Sequence, residues 1–373
     1  MAGVQPSVAS APWRRRFRLG AFGPIWTATI LLFAVSPIVA HGSLSNSALQ
    51  AMLPFAGILA IAAIGQTLVI QQGGLDLSVP GTFSLGVVLV TVVPGGDPSK
   101  LALGLVVALG VGLAAGLLNG LLVTRLGITS LVATLGMNAV LVGTVLQVTH
   151  GSINYKVTRN WADFASSKVA GVPTPTVVAL ILVLAVAAYM HRSVWGRRFD
   201  LVGASPLAAR SAGLPVARHQ LISYVAAGVC YAFAGALLAG FLGSPQLFAG
   251  NDYLLPTIAA VVLGGTALGG GRGSVIATAV GVLFLSQLEQ VVELLGASQA
   301  VQDIIQGAIV ALGMGLRNAP WRRLFGARAG LAGPRSATAS GPLVGSGPSA
   351  SNGPPGGSLE RSSEEEETVD VKP

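Results

Sequence analysis

Charge is scarce in this chain. Only 10% of its 373 residues are Asp, Glu, Lys or Arg, against roughly 25% in an ordinary soluble domain, too few to coat a soluble globule. Cys230 is the single cysteine, which excludes an internal disulfide and a cysteine metal cluster. No lysine follows a glycine, so the phosphate-cradling loop that ends Gly-Lys-Ser/Thr is missing and the chain does not bind ATP through that motif. His41, His150, His191 and His219 show neither His-x-x-x-His nor Glu-x-x-His spacing, which removes the usual metal-site signatures.

What is present is apolar. Hydrophobic residues make up 52% of the chain and mean hydropathy is +0.71. Apolar runs fall at 25–40, 51–71, 81–94, 101–124, 128–149, 174–191, 221–243, 254–268, 273–292 and 300–316. Several approach the ~20 residues a helix needs to cross the hydrocarbon core. The fold class expected is therefore an all-α polytopic membrane protein of about ten transmembrane helices, some short or broken. The runs 81–94 and 254–268 are short and flanked by Gly and Pro. Broken or re-entrant helices of this kind survive only where protein or a water-filled cavity covers them. The first run follows Arg14, Arg15, Arg16 and Arg18 as a signal peptide would, but no small-x-small cleavage site follows Val39, so it reads as an uncleaved span.

A net charge of +8 and a pI near 10.2 would suit a nucleic-acid partner only if the basic residues gathered on one soluble face. They sit instead in short connections between apolar runs, which leaves no nucleic-acid surface and sets the topology. With the amino terminus inside, the inner side receives Arg125, Arg192, Arg197, Arg198, Arg210, Arg218, Arg272, Arg317, Arg322, Arg323 and Arg328 besides the first cluster. The outer side receives only Lys100, Lys156, Arg159 and Lys168. That asymmetry predicts an even number of spans with both termini cytoplasmic. Three parts follow: a cytoplasmic segment 1–20, a membrane domain 21–316 with a long inner loop 192–220, and a basic stub with a tail over 317–373. Residues 329–373 are Gly-, Pro-, Ser- and Ala-rich and include the acidic run 364–367, too little apolar surface to offset ordering entropy, which predicts a disordered tail.

Four features stand out. Ala108, Gly112, Gly116 and Gly120 recur every fourth residue, a small-residue ladder on which another helix can approach closely. Asn119 beside it reads as an interhelical hydrogen-bonding residue. The polar stretch Gln71-Gln72-Gly73-Gly74-Leu75-Asp76-Leu77-Ser78-Val79-Pro80 interrupts two apolar runs. Its glycines permit positive φ, and Asp76 and Ser78 suit capping of the next helix. A carboxylate near membrane depth is costly, which also makes Asp76 a gating or pathway candidate. Gly73, Gly74, Ser78, Asn119 and Asn138 join it in that set.

In the inner loop, Ser205 is a good N-cap, Pro206 suits the first helical position, Leu207, Ala208, Ala209, Arg210, Ser211 and Ala212 propagate the turn and Gly213 stops it. A helix of about two turns needs something to pack against, which predicts a docking knob for a cytoplasmic partner. The run Gly264, Gly265, Gly270, Gly271, Arg272 and Gly273 predicts a tight cytoplasmic turn between short helices. Glu289 and Glu293 share a helix face and acid–base work is conceivable for them, but near the outer mouth they read as a solvated rim.

These segments, in this order, resemble the membrane permease subunit of ribose-type simple-sugar ATP-binding-cassette importers. The matching words are Gly73-Gly74-Leu75-Asp76-Leu77-Ser78, Asn119-Gly120-Leu121-Leu122-Val123, Ala133-Thr134-Leu135-Gly136, Ala208-Ala209-Arg210-Ser211-Ala212-Gly213 and Ile258-Ala259-Ala260-Val261-Val262-Leu263-Gly264-Gly265-Thr266 with Gly270-Gly271-Arg272-Gly273-Ser274. The resemblance implies a transport subunit, not an enzyme, in a bacterial cytoplasmic (inner) membrane. It implies a second permease copy, as homodimer or heterodimer, around a central pathway for a sugar or similar polar solute. An extracytoplasmic solute-binding protein would deliver the solute. A cytoplasmic ATPase would carry ATP and Mg, with no cofactor on this chain, and the 205–213 segment would be its coupling helix. Leu254 and Pro256 replace acidic residues usual in the family, and Pro80-Gly81 replaces the usual Gly-Ser. An amino-acid-type permease, and a membrane scaffold or sensor using the acidic tail, are the competing readings.

Overall fold

The computed structural model describes residues 19–152, 156–298, 300–305, 307–308 and 311, with side chains from residue 23 onward. The predicted disordered tail, most of the amino-terminal segment and much of the 300–316 run lie outside the described residues. Those described fall within one unit, Met1–Ala319.

Twelve helices are assigned there: α1 (Leu19–Val39), α2 (Asn46–Gln71), α3 (Val79–Val92), α4 (Leu101–Thr124), α5 (Ser130–Thr149), α6 (Arg159–Ser166), α7 (Thr174–Arg192), α8 (Val194–Ala204), α9 (Pro206–Ser211), α10 (Val216–Leu242), α11 (Asn251–Leu263) and α12 (Val275–Leu294). The chain is thus predominantly helical, as composition required. Six helices are long and apolar enough to cross a membrane, and Gly23–Val39, Val79–Val92 and Asn251–Leu263 are shorter apolar ones. Elements without a signal in the apolar pattern include α6, α8, and a hairpin of β1 (Lys168–Val169) with antiparallel β2 (Val172–Pro173). The Trp161 indole on α6 donates to Ala236 O at 2.7 Å, fastening this segment to α10.

The long helices divide by exposure. Along α2, 89% of its most apolar window is buried, against 28% in α4 and in α5. A helix apolar on every side belongs inside, and Ile58, Ile61, Ala62, Val69 and Ile70 on α2 are fully enclosed. On α4 and α5, Leu103, Val106, Leu118, Val132, Leu135 and Val140 stay exposed, which suits a lipid environment. α2 and α10 form the centre and lie against each other. α3 and α4 pack on α10, while α11 and α12 pack on α2, so one short apolar helix packs on each of the two central ones.

The small-residue ladder of α4 is where its backbone meets α10. A Cβ at Gly112 would lie 2.5 Å from Gly228 O, and one at Gly228 would lie 2.1 Å from Gly112 O, so neither position admits a side chain without separating the helices. With 14 residues, α3 is only about 21 Å long at 1.5 Å per residue, short of the ~30 Å core. Its residues 79–91 are all buried. Protein therefore encloses this short helix, as a helix too short to span the core requires, while Gly73 in the non-helical stretch before it is exposed.

Candidate functional site

The interruption between α2 and α3 is built from backbone amides read by side chains. α2 stops where Gln72 N donates to Val69 O and Gly73 N to Ile70 O, at 3.0 and 2.9 Å, with Gly73 at φ +77°. The chain then runs along α5. Ser130 Oγ accepts from Leu75 N at 3.2 Å, Thr134 Oγ1 from Leu77 N at 2.9 Å and Asn138 Oδ1 from Gly81 N at 2.8 Å. Residues at i, i+4 and i+8 share one helix face, so α5 presents a ladder of acceptors to amides that no helix satisfies.

Asp76 sits inside this interruption at 1% exposure. Its Oδ1 accepts from Ser78 N at 2.9 Å and Ser78 Oγ at 2.6 Å. Asn119 Nδ2 on α4 donates to the same Ser78 Oγ at 2.9 Å. Ser78 occupies the N-cap position of α3 but makes no side-chain cap bond, contrary to the capping expectation, because its hydroxyl is already committed to Asp76. Asn119 is the interhelical hydrogen-bonding residue its setting indicated. Asp76 Oδ2 and Asn119 Oδ1 have no partner among the described residues. Gly74 is required here for space, since a Cβ would lie 2.3 Å from Tyr224 Oη.

Three stretches singled out separately in the sequence meet at the end of α2. Gly271 N donates to Gln71 O at 2.9 Å, and Gln72 Nε2 donates to Phe199 O on α8 at 2.9 Å. The Gly-rich turn is as tight as its composition indicated, with Gly265, Gly270 and Gly271 at φ of +86°, +87° and +78°. Ala267 N donates to Arg272 O across it at 2.9 Å. Gly264 abuts Thr278 and Gly273 abuts Gln71.

The 192–220 loop is more ordered than the sequence indicated, because residues 194–204 form α8, capped by Ser193 Oγ accepting from Gly196 N at 2.9 Å. α9 then follows its local rules. Ser205 Oγ accepts from Ala208 N at 3.3 Å, Gly213 stands at φ +75°, and Leu214 N closes on Ala209 O at 2.9 Å. Ala209 faces inward against Val202 and Val216. Leu207 is 77% exposed, with Ala208, Arg210, Ser211 and Ala212 also at the surface.

At the opposite ends of α2, α11 and α12 lies a cavity of about 530 Å³ whose lining includes Phe55, Asp252, Tyr253, Glu289, Glu293 and Asp303. Among the described residues it is lined by no Lys, Arg or His. No three described His, Cys, Asp or Glu are grouped closely enough to hold a metal ion. Glu289 and Glu293, read in the sequence as a solvated rim, line this cavity. Asp303 was not singled out at all. Tyr253 stacks on Phe83 of α3, ring centres 4.3 Å apart, which joins the cavity wall to the broken helix.

Residues 48–313 match the family described as the permease component of the branched-chain amino acid transport system. The chain is 33% identical over 300 residues to the autoinducer 2 import system permease protein LsrD of Yersinia pseudotuberculosis (strain YPIII), covering 77% of this chain and 89% of the relative. The protein of that name from Yersinia pestis (strain Pestoides F) shows the same identity and coverage. No solved structure matches. The matched segment runs from the third residue of α2 through α12 and takes in the polar interruption, the junction at the end of α2 and the cavity, and the chain belongs to this permease-component family, as the membrane subunit of an ATP-binding-cassette importer.

Proposed function

We propose that this subunit carries a small, uncharged, polyhydroxylated solute inward across a bacterial cytoplasmic membrane, from the carboxylate-lined cavity toward the end that bears α9. The observation that carries the solute class is the cavity itself. Carboxylates accept hydrogen bonds from hydroxyls, an aromatic wall packs against the apolar face of a sugar-like ring, and an anion would meet only like charge there. The relatives named for autoinducer 2 import support a solute other than an amino acid. A branched-chain amino acid, which the family description allows, would find partners there for its ammonium but no basic side chain among the described lining residues for its carboxylate.

Orientation follows from charge. Arg197, Arg198, Arg210 and Arg272 lie at the α9 end and Lys100, Arg159 and Lys168 at the cavity end, so the positive-inside rule makes the α9 end cytoplasmic. Both termini then lie inside if the 300–316 run makes about a tenth span beside the six long and three shorter apolar helices. Exposed Leu207 on α9 is the anchor for the ATPase, which holds the ATP and Mg. A solute-binding protein docks over the cavity, and a second permease copy completes the pathway. Asp76, Ser78, Asn119 and Asn138, with Gly73 and Gly74, shape the gate at the α2–α3 interruption.

Reconstitution in liposomes with its ATPase and binding protein tests the reading. ATP-dependent uptake of a pentose, a hexose or autoinducer 2, with none of leucine, is expected. Uptake of leucine alone makes it an amino-acid permease, and no uptake of any of these by an assembled complex overturns the sugar-like reading.

A further inference from the structure

The ATPase contact at α9 and the polar interruption before α3 are separated in sequence, and an importer must connect them. Three observations bring them together. The Phe199 carbonyl on α8 takes the amide of Gln72 at 2.9 Å. Gly203, also on α8, lies so close to Gln71 that a Cβ there would stand 2.1 Å from Gln71 O. The same Gln71 O takes Gly271 N at 2.9 Å, so the turn between α11 and α12 is tied to the same peptide.

The helical part of this route is close-packed. α9 sits on α8 and the start of α10 through Ala209, Val202 and Val216, all buried. On its other side α8 is held by Trp195, which stacks on His219 of α10 at 5.5 Å and leans on Phe199 at 4.9 Å. From Gln72 the chain passes through Gly73 and Gly74 directly to Asp76. Close-packed elements shift between discrete arrangements instead of deforming gradually, so α8 cannot be displaced without moving the Gln71–Gln72 backbone or breaking these contacts.

We propose that Gln72 and Gly203 are positioning residues for energy coupling: through Phe199 O and Gln71 they transmit movement of the α8–α9 hairpin to the Asp76–Ser78–Asn119 interruption. Gly271 passes the same movement to α11 and α12, which line the cavity. One joint thereby moves both broken helices. The proposal rests on α9 being the ATPase contact, and the test separates the two.

The test uses the complete complex in liposomes and reads ATP hydrolysed per solute imported. Gln72→Met keeps length and packing but removes the amide donor. Gly203→Ala pushes the two backbones apart. Each is expected to raise the ratio about fivefold, the equilibrium worth of one net hydrogen bond, with the ATPase still bound. An unchanged ratio in assembled Gln72→Met complexes overturns the joint. If Gln72→Met assembles poorly, Gly203→Ala decides by the same ratio. Leu207→Asp tests the underlying reading separately: retention of the ATPase by that variant moves the contact away from α9 and overturns both.

Discussion

Asn119 and Ser78, 41 residues apart in sequence, meet through a hydrogen bond from Asn119 Nδ2 to Ser78 Oγ of 2.9 Å. Ser78 Oγ in turn donates to Asp76 Oδ1, so α4 holds the buried carboxylate in place through an intermediate hydroxyl. This gives the polar interruption a defined conformation, since a buried carboxylate is costly unless its hydrogen bonds are made.

Replacing Asp76 separates shape from charge. Asp76→Asn retains an acceptor for Ser78 and is expected to insert and assemble normally. Asp76→Leu leaves Ser78 N–H buried without a partner, which costs about 1–3 kcal/mol. A lower thermal midpoint in detergent for Asp76→Leu, with Asp76→Asn within a degree or two of the parent, is the expected result. Equal midpoints for the two would mean that the Ser78 contacts contribute nothing.

The α5 ladder makes a separate prediction about local opening. Thr134→Val preserves shape and β-branching but removes the acceptor for Leu77 N. Ser130→Ala does the same for Leu75 N. Amide hydrogen exchange at residues 75 and 77 should accelerate about five- to thirtyfold, for roughly 1–2 kcal/mol lost per site, with exchange in α10 unaffected. Unchanged rates at both amides would show that the ladder does not hold the segment.

How much of this was legible depended on where each signal was stored. α9 was readable almost to the residue because Ser205, Pro206 and Gly213 act within one turn of themselves. The adjoining α8 was missed: Arg197 and Arg198 broke its apolar pattern, and the buried Phe199 packs in a cluster with the distant Ile64, Leu68 and Val275. Ser130, Thr134 and Asn138 show helical spacing in the sequence, but their partners are backbone amides, which leave no compositional trace. Asp252, Glu289 and Asp303 come from separate segments, so only the fold could gather them at one cavity. The break at Gly73 and Gly74 was visible, because glycines beside a buried Asp between apolar runs have few other uses.

At α9 the two faces should behave differently. Leu207 projects outward at 77% exposure, so Leu207→Asp should leave insertion intact and weaken ATPase binding by at least about tenfold, the range of an interface anchor. Ala209 is buried against Val202 and Val216, so Ala209→Trp should lift α9 off α8 and uncouple hydrolysis from uptake. Binding of the purified ATPase to each variant in nanodiscs measures the first effect, and coupled uptake the second. Normal coupled transport in both variants would place the ATPase contact elsewhere.

The cavity provides the sharpest test of solute class. Four carboxylates and no described basic side chain line it. A carboxylate about 8 Å from a bound anion disfavours it by about 2 kcal/mol at an effective dielectric of 20. Replacing Glu289 and Glu293 together by Gln removes two of these acidic groups while retaining side chains that can hydrogen-bond to hydroxyls. The double variant should admit a sugar phosphate that the parent excludes, with its rate rising at least about thirtyfold, the equivalent of ~2 kcal/mol. Uptake of the parent sugar should fall by less than about tenfold, since amide acceptors replace carboxylates without emptying the site. Competition between the sugar and its phosphate in one vesicle preparation reads both changes together. A variant that still rejects the phosphate as strongly as the parent would locate selectivity outside this cavity, in the binding protein or deeper in the pathway.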